Sequence, residues 1–194
     1  SLMENYKKNF EILKKNHVYS EEMEHDACGV GLIASTEGKK SRKIVEYGIE
    51  ALKAVWHRGA VDADGKTGDG AGIHVEIPKD FFIEKIEVTG HSYDNSEICV
   101  GMIFLPRNDY AAQENCKTIV ESELTKNNFS IYGWRQVPVN PKVLGEKAFQ
   151  TMPEIIQVLF KSNNPELLNK DLERKIYETR RIIENKAFQI SLNN

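Results

Sequence analysis

The chain has 194 residues, 40% of them hydrophobic and 28% charged, and its 26 basic and 29 acidic side chains leave a formal net charge of −3. That hydrophobic share supplies a packed core and excludes wholesale disorder, while the missing basic excess sets nucleic acid aside as the main partner. No apolar run approaches the ~18 residues needed to cross a bilayer. The three cysteines form no CxxC pair, which argues against a disulfide framework or a structural metal site and for a reducing compartment, the cytoplasm.

In chain order, Ser1-Leu2 ahead of Met3 reads as a cloning remnant, and residues 1–27 as a charge-rich pre-sequence set apart from a domain over residues 28–194. Cys28 to Ala34 is short, apolar and glycine-spaced, the pattern of a buried strand. Ser41 is placed to cap a helix whose stripe is Ile44, Gly48, Ala51, Leu52 and Val55. His57 to Gly70 is a polar loop. Ile73, Val75 and Ile77 alternate with His74 and Glu76 as a strand stopped by Pro78. Glu97 to Leu105 is a further strand, Asp109 to Asn127 a helix with Ala112, Cys116, Ile119, Val120 and Leu124 on one face, and Ser130 to Val137 and Glu154 to Phe160 are strands. Asp171 to Ala187 is a charged amphipathic helix with Leu172, Ile176 and Ile183 inward, and Phe188 to Leu192 begins another strand. Strands occur in neighbouring groups without a strict βαβ rhythm, so the fold class is α+β or a layered sandwich.

Three readings compete for the glycine-rich loop. Gly65-Lys66-Thr67 imitates the end of a phosphate-binding P-loop, but the spacing requires glycine where Ala60 stands, and a helix rather than a strand precedes it. Asp62-x-Asp64 imitates a calcium loop, but Lys66 falls where an oxygen ligand is required. The third reading is structural: the glycines let the backbone turn tightly and approach another segment closely.

Cys28 is the more informative residue. A lone cysteine on an apolar strand is usually a small buried hydrophobe. Here it stands at a compositional boundary, after Asp26-Ala27 and before two glycines within three residues. Cleavage before it would leave a first residue carrying both a thiol nucleophile and an α-amine of pKa ~8, suited to act as its own general base. Cys99 and Cys116 lack this setting and read as core.

Taken together, Glu24-His-Asp-Ala-Cys28-Gly-Val-Gly31, the segment Ala51 to Ala60 with His57-Arg58-Gly59, and Asp64 to Gly72 with Thr67-Gly68-Asp69-Gly70 resemble the class II glutamine amidotransferase domain of the glutamate synthase large subunit. Tyr132 to Asn140, Pro153 to Val158 and Leu172 to Glu184 agree with it in the same order.

The resemblance implies an Ntn-hydrolase-like αββα sandwich of antiparallel sheets, here incomplete, and a glutaminase that converts glutamine to glutamate and ammonia. It makes Cys28 the nucleophile that forms a γ-glutamyl thioester and Gly29 the residue that keeps the approach open. Arg58 and Gly59 fall beside the nucleophile, and Thr67, Gly68 and Asp69 in a loop around the site. It implies no cofactor and no metal in this part. FMN, an iron–sulfur cluster and electrons from NAD(P)H or ferredoxin belong to the remaining synthase domains of the same polypeptide, which receive the ammonia. The family's oxyanion Asn-Gly pair and its glutamine anchors come later in the domain, and the chain contains no Asn-Gly dipeptide. The substrate-binding residues are therefore expected beyond residue 194, and the chain, uncleaved before Cys28 and covering the first part of the domain, is expected to be inactive as given. The alternative is a non-catalytic, stand-alone module serving as an assembly or regulatory partner. An unfinished sheet also leaves an edge on which a second copy could pair.

Overall fold

The computed structural model describes residues 30–55, 61–68 and 70–192. They divide into two units: residues up to 63 with Gly68–Val75, and Asp64–Thr67 with the chain from Glu76 onward.

Among its described residues the first unit holds one helix, α1 (Arg42–Ala54), opened by Ser41, whose Oγ accepts from Lys43 N at 3.2 Å. The anticipated cap is thus in place, and the stripe of Ile44, Gly48, Ala51 and Leu52 is half-buried. The strand expected over Cys28 to Ala34 is not formed in its described part: Val30 and Leu32 are 92% and 90% exposed, with no ladder partner. Ile73, Val75 and Ile77 are likewise exposed and unpaired, so the second expected strand is also corrected to irregular chain. Alternation of apolar residues marks a face, but a strand also needs a neighbour's N–H and C=O groups. Neither segment finds one among the described residues.

The second unit is built on a three-stranded antiparallel sheet of order β1-β3-β2, with β1 at Cys99–Leu105, β2 at Phe129–Gln136 and β3 at Glu154–Ser162. The strand last in sequence is central. Cys99 pairs with Phe160 and Leu105 with Glu154 on one side, and Phe129 with Ser162 on the other. The sequence of β3 explains its place: Ile156, Val158, Leu159 and Phe160 are all buried, as a strand covered on both faces requires. At Tyr132 the β2–β3 register slips by one residue, a bulge next to Gly133. A Cβ on Gly133 would stand 2.7 Å from Thr89 Cγ2.

Helices cover both faces. On one lie α3 (Tyr110–Lys126) and α5 (Asn169–Leu192), closing over Cys99, Val120, Leu124, Phe129, Phe160 and Leu172. The Phe129 and Phe160 rings meet edge to face at 5.3 Å. α3 begins where Asp109 Oδ1 accepts from Ala112 N at 2.9 Å, and Asn127 ends it. On the other face α2 (Lys79–Val88), which hydrophobic spacing had not suggested, buries Phe82 and Ile86 against Ile98, Tyr132 and Leu159. Pro78 stops the extended segment by starting this helix: Phe82 N donates to Pro78 O at 3.2 Å. The last expected strand, Phe188 to Leu192, is corrected to the end of α5. Extending an existing helix adds one hydrogen bond per residue fixed, whereas a new strand needs a partner. The α+β class stands, with a single antiparallel sheet among the described residues.

Candidate functional site

Of the residues singled out from sequence, Cys28, Gly29, Arg58, Gly59 and Asp69 lie outside the described residues, while Thr67 and Gly68 lie within them. Val61 and Gly68 form an isolated antiparallel bridge that closes the loop on itself.

Within this loop the chain turns tightly over Asp64–Thr67. Asp64 Oδ1 accepts from Lys66 N at 2.9 Å and from Thr67 N at 2.7 Å, and Asp64 Oδ2 accepts from the Thr67 hydroxyl. The Thr67 hydroxyl, the Thr67 and Lys66 amides and the Lys147 amide together hold the Asp64 carboxyl well below the usual carboxylate range, because each stabilises the charged form. This arrangement decides among the three readings of the loop. The Lys66 and Thr67 amides that a phosphate cradle would offer already point at a carboxylate. The Asp64 oxygens face N–H and O–H donors, as a cation ligand's would not.

The turn rests on a distant part of the chain. The short helix α4 (Glu146–Thr151) has Gly145 at its N-terminus and no side-chain cap of its own. Ala148 N donates to Thr67 Oγ1 at 3.4 Å across 81 residues of sequence, and Lys147 N donates to Asp64. Asp64 and Thr67 thus supply in trans the acceptors that the first amides of a helix lack. Gly145, Lys147 and Ala148 were not anticipated from sequence. The only local sign was a glycine, without Ser, Thr, Asp or Asn, at the start of a helix.

Elsewhere in the second unit two open grooves flank Arg107. One, of about 580 Å³, runs between Phe104–Asp109 and Gln150–Pro153, and the other, of about 510 Å³, lies beside Lys117, Trp134 and Arg135. Neither is lined by Thr67 or Gly68, the candidate site residues that lie within the described residues. Their cations are already engaged: Arg107 stacks on Phe149 at 4.7 Å, and Arg135 donates to Gln157 Oε1 at 2.6 Å and lies over Phe81. Beyond the bulge, the Tyr132 hydroxyl donates to Asp94 Oδ1 at 3.0 Å and Lys161 pairs with the same carboxylate. Lys161, then Ser96 and Tyr132, hold the Asp94 carboxyl well below its ordinary range. Burial, then the Asp94 charge, pushes the Tyr132 hydroxyl above its own.

Burial, reinforced by the Glu97 charge, pushes the Cys99 thiol up to about 12, and burial also raises Cys116. Neither is set up as a thiolate. Among the described residues no group of three or more His, Cys, Asp or Glu is placed to hold a metal ion, and no helix is long and apolar enough to cross a membrane.

Comparison with known proteins supplies the context for this geometry. The chain is 52% identical over 179 residues to the glutamate synthase [NADPH] large chain of Azospirillum brasilense, covering 92% of this chain and 12% of that protein. It is 39% identical over 178 residues to ferredoxin-dependent glutamate synthase 2, chloroplastic, of Arabidopsis thaliana, covering 90% and 11%. It is 34% identical over 198 residues to glutamate synthase [NADH] of Saccharomyces cerevisiae, covering 94% and 9%. The chain therefore spans about a tenth of the length of these relatives. Residues 28–194 match the family described as glutamine amidotransferases class-II. With that match spanning most of its length, the chain belongs to the class-II glutamine amidotransferases.

Proposed function

We propose that this chain is the glutamine-hydrolysing part of a glutamate synthase, with Cys28 as nucleophile. The observation that carries the reading is that the family match opens at Cys28, the residue at which the composition also changes. In this reading Cys28 Sγ attacks the side-chain carboxamide carbon of glutamine, and the C–N bond breaks. Ammonia leaves after taking a proton relayed by the Cys28 α-amine. Water then hydrolyses the γ-glutamyl thioester, which returns the thiol and releases glutamate. The α-amine is available only once the Ala27–Cys28 bond is cut, since an amide nitrogen is not basic. Residues 1–27 are accordingly a segment removed on maturation, and residues 28–194 the first part of the domain. A chain that keeps Ala27 joined to Cys28 is inactive.

Gly29 leaves the approach to the thiol open, and Arg58 with Gly59 positions and supports charge beside it. Thr67, Gly68 and Asp69 belong to the loop around the site. The glutamine anchors and oxyanion donors belong to residues outside this chain. Loss of one oxyanion donor alone costs ~10²–10³ in rate. FMN, the iron–sulfur cluster and the electron donor, a pyridine nucleotide or ferredoxin, belong to other domains of the same polypeptide. The compartment proposed is the cytoplasm, on the cysteine usage.

The test is N-terminal sequencing of the mature full-length protein, followed by acid quench during glutamine turnover. The reading predicts Cys28 as the first residue and a γ-glutamyl adduct on its peptide. An active enzyme that retains Ala27, or an adduct on another residue, would refute it.

A further inference from the structure

We infer that Gly145 and Asp64 are positioning residues for glutamine hydrolysis, holding Thr67, the residue that leads in sequence into the glycine-rich stretch, in the place the reaction needs. The inference rests on the reading that this loop borders the site of Cys28. It starts from a glycine whose backbone is ordinary: φ at Gly145 is −72°, open to any residue. Space, not conformation, excludes a side chain there. A Cβ would lie 2.6 Å from Thr67 N and closer still to Asp64 Oδ2 and Thr67 Oγ1. One of these atoms is backbone, so a rotamer change cannot relieve the overlap and the turn itself would have to move.

The contact is also specific. Asp64 gathers the amides of Lys66 and Thr67, the Thr67 hydroxyl and the Lys147 amide, while the same hydroxyl accepts from Ala148 N. A single carboxylate thus fixes the turn internally and against α4. The turn is largely exposed, so little of the core depends on it. What it does fix is the position of Thr67 against α4, and Thr67 is followed in sequence by Gly68-Asp69-Gly70. Glycine-rich segments hold no position by themselves, because they retain more backbone freedom than any other. An anchor at the first residue is what such a loop requires.

The experiment uses the full-length, processed enzyme and measures ammonia released from glutamine. Gly145→Ala is expected to lower kcat, with losses up to about 10²-fold for a displacement near 1 Å, while KM and the thermal midpoint change little. Thr67→Val, which keeps the volume and removes the hydroxyl, is expected to show a smaller loss of the same kind, and Thr67→Ser to retain the parent kcat. If Gly145→Ala yields no folded protein, the Thr67 pair decides. The inference is overturned if Thr67→Val and Thr67→Ser match the parent in kcat and KM, or if the loss in Gly145→Ala only follows its unfolded fraction. Failure of the underlying reading is separate, since it appears in the parent and in Cys28→Ala alone: either the parent releases no ammonia, or Cys28→Ala releases it at the parent's rate.

Discussion

Lys186 Nζ stands 2.6 Å from Glu123 Oε1 and ties α5 to α3, with Lys126 at 3.1 Å on the same oxygen. Among the described residues Glu123 is one of three buried polar side chains, the others being Gln113 and Thr179. Lys186, then Lys126, lowers its pKa from the ordinary value. A folded-state pKa below the unfolded one adds stability above ~4.3, and that stability is lost as pH falls through the folded value. Lys186→Met is expected to lower the urea midpoint at pH 7 and to flatten its decline on acidification. An unchanged midpoint would mean that the two helices are held by their apolar contacts alone.

The same sign applies to Asp94, whose carboxylate takes Lys161 and the Tyr132 hydroxyl. Its pKa is depressed, so its contribution is present above ~3.9 and is lost below it. Asp94→Asn is expected to reduce stability at neutral pH and to leave a shallower acid limb in a midpoint-against-pH series. Equal slopes in parent and variant would show that the cluster contributes nothing.

Leu159 lies at the centre of the sheet, fully buried between β1 and β2 on the face covered by α2. Leu159→Ala is expected to cost ~2–5 kcal/mol in unfolding free energy with an unchanged denaturant slope. Phe104→Ala, on the exposed part of β1, is expected to cost far less. Urea titration of both variants checks the order.

Thiol chemistry separates the three cysteines. Alkylation requires thiolate, and burial has moved Cys99 and Cys116 away from it. Brief iodoacetamide treatment at pH 8 is expected to modify Cys28 first, Cys116 slowly and Cys99 last, as read from peptide masses. Prior modification of Cys99 would contradict both its burial and the role given to Cys28.

Legibility in the sequence followed the range of the interactions. The cap at Ser41, the helix from Asp109 with the inward face of Val120 and Leu124, and the apolar run of β3 are set by neighbours within a turn or two, and they were readable. Whether an apolar alternation becomes a strand depends on a partner elsewhere in the chain. That is why Val30 and Leu32, and Ile73, Val75 and Ile77, gave the right pattern and the wrong element. At Phe188 and Ile190 the preceding helix simply continued. The helix after Pro78 went unread, although Phe82 and Ile86 stand one turn apart. The family was readable from motifs such as Cys28-Gly-Val-Gly and Thr67-Gly-Asp-Gly, and the match over residues 28–194 bears it out. The seat of Asp64 and Thr67 on α4 was not readable, because nothing local to Gly145 points back to residues so far upstream.

The role given to Cys28 is tested most directly by ammonia release from glutamine, measured on the mature full-length enzyme with cysteine or alanine at this position. The account predicts turnover with Cys28 and none with Cys28→Ala, while both proteins unfold at the same temperature. Undiminished ammonia release from the alanine variant would contradict it.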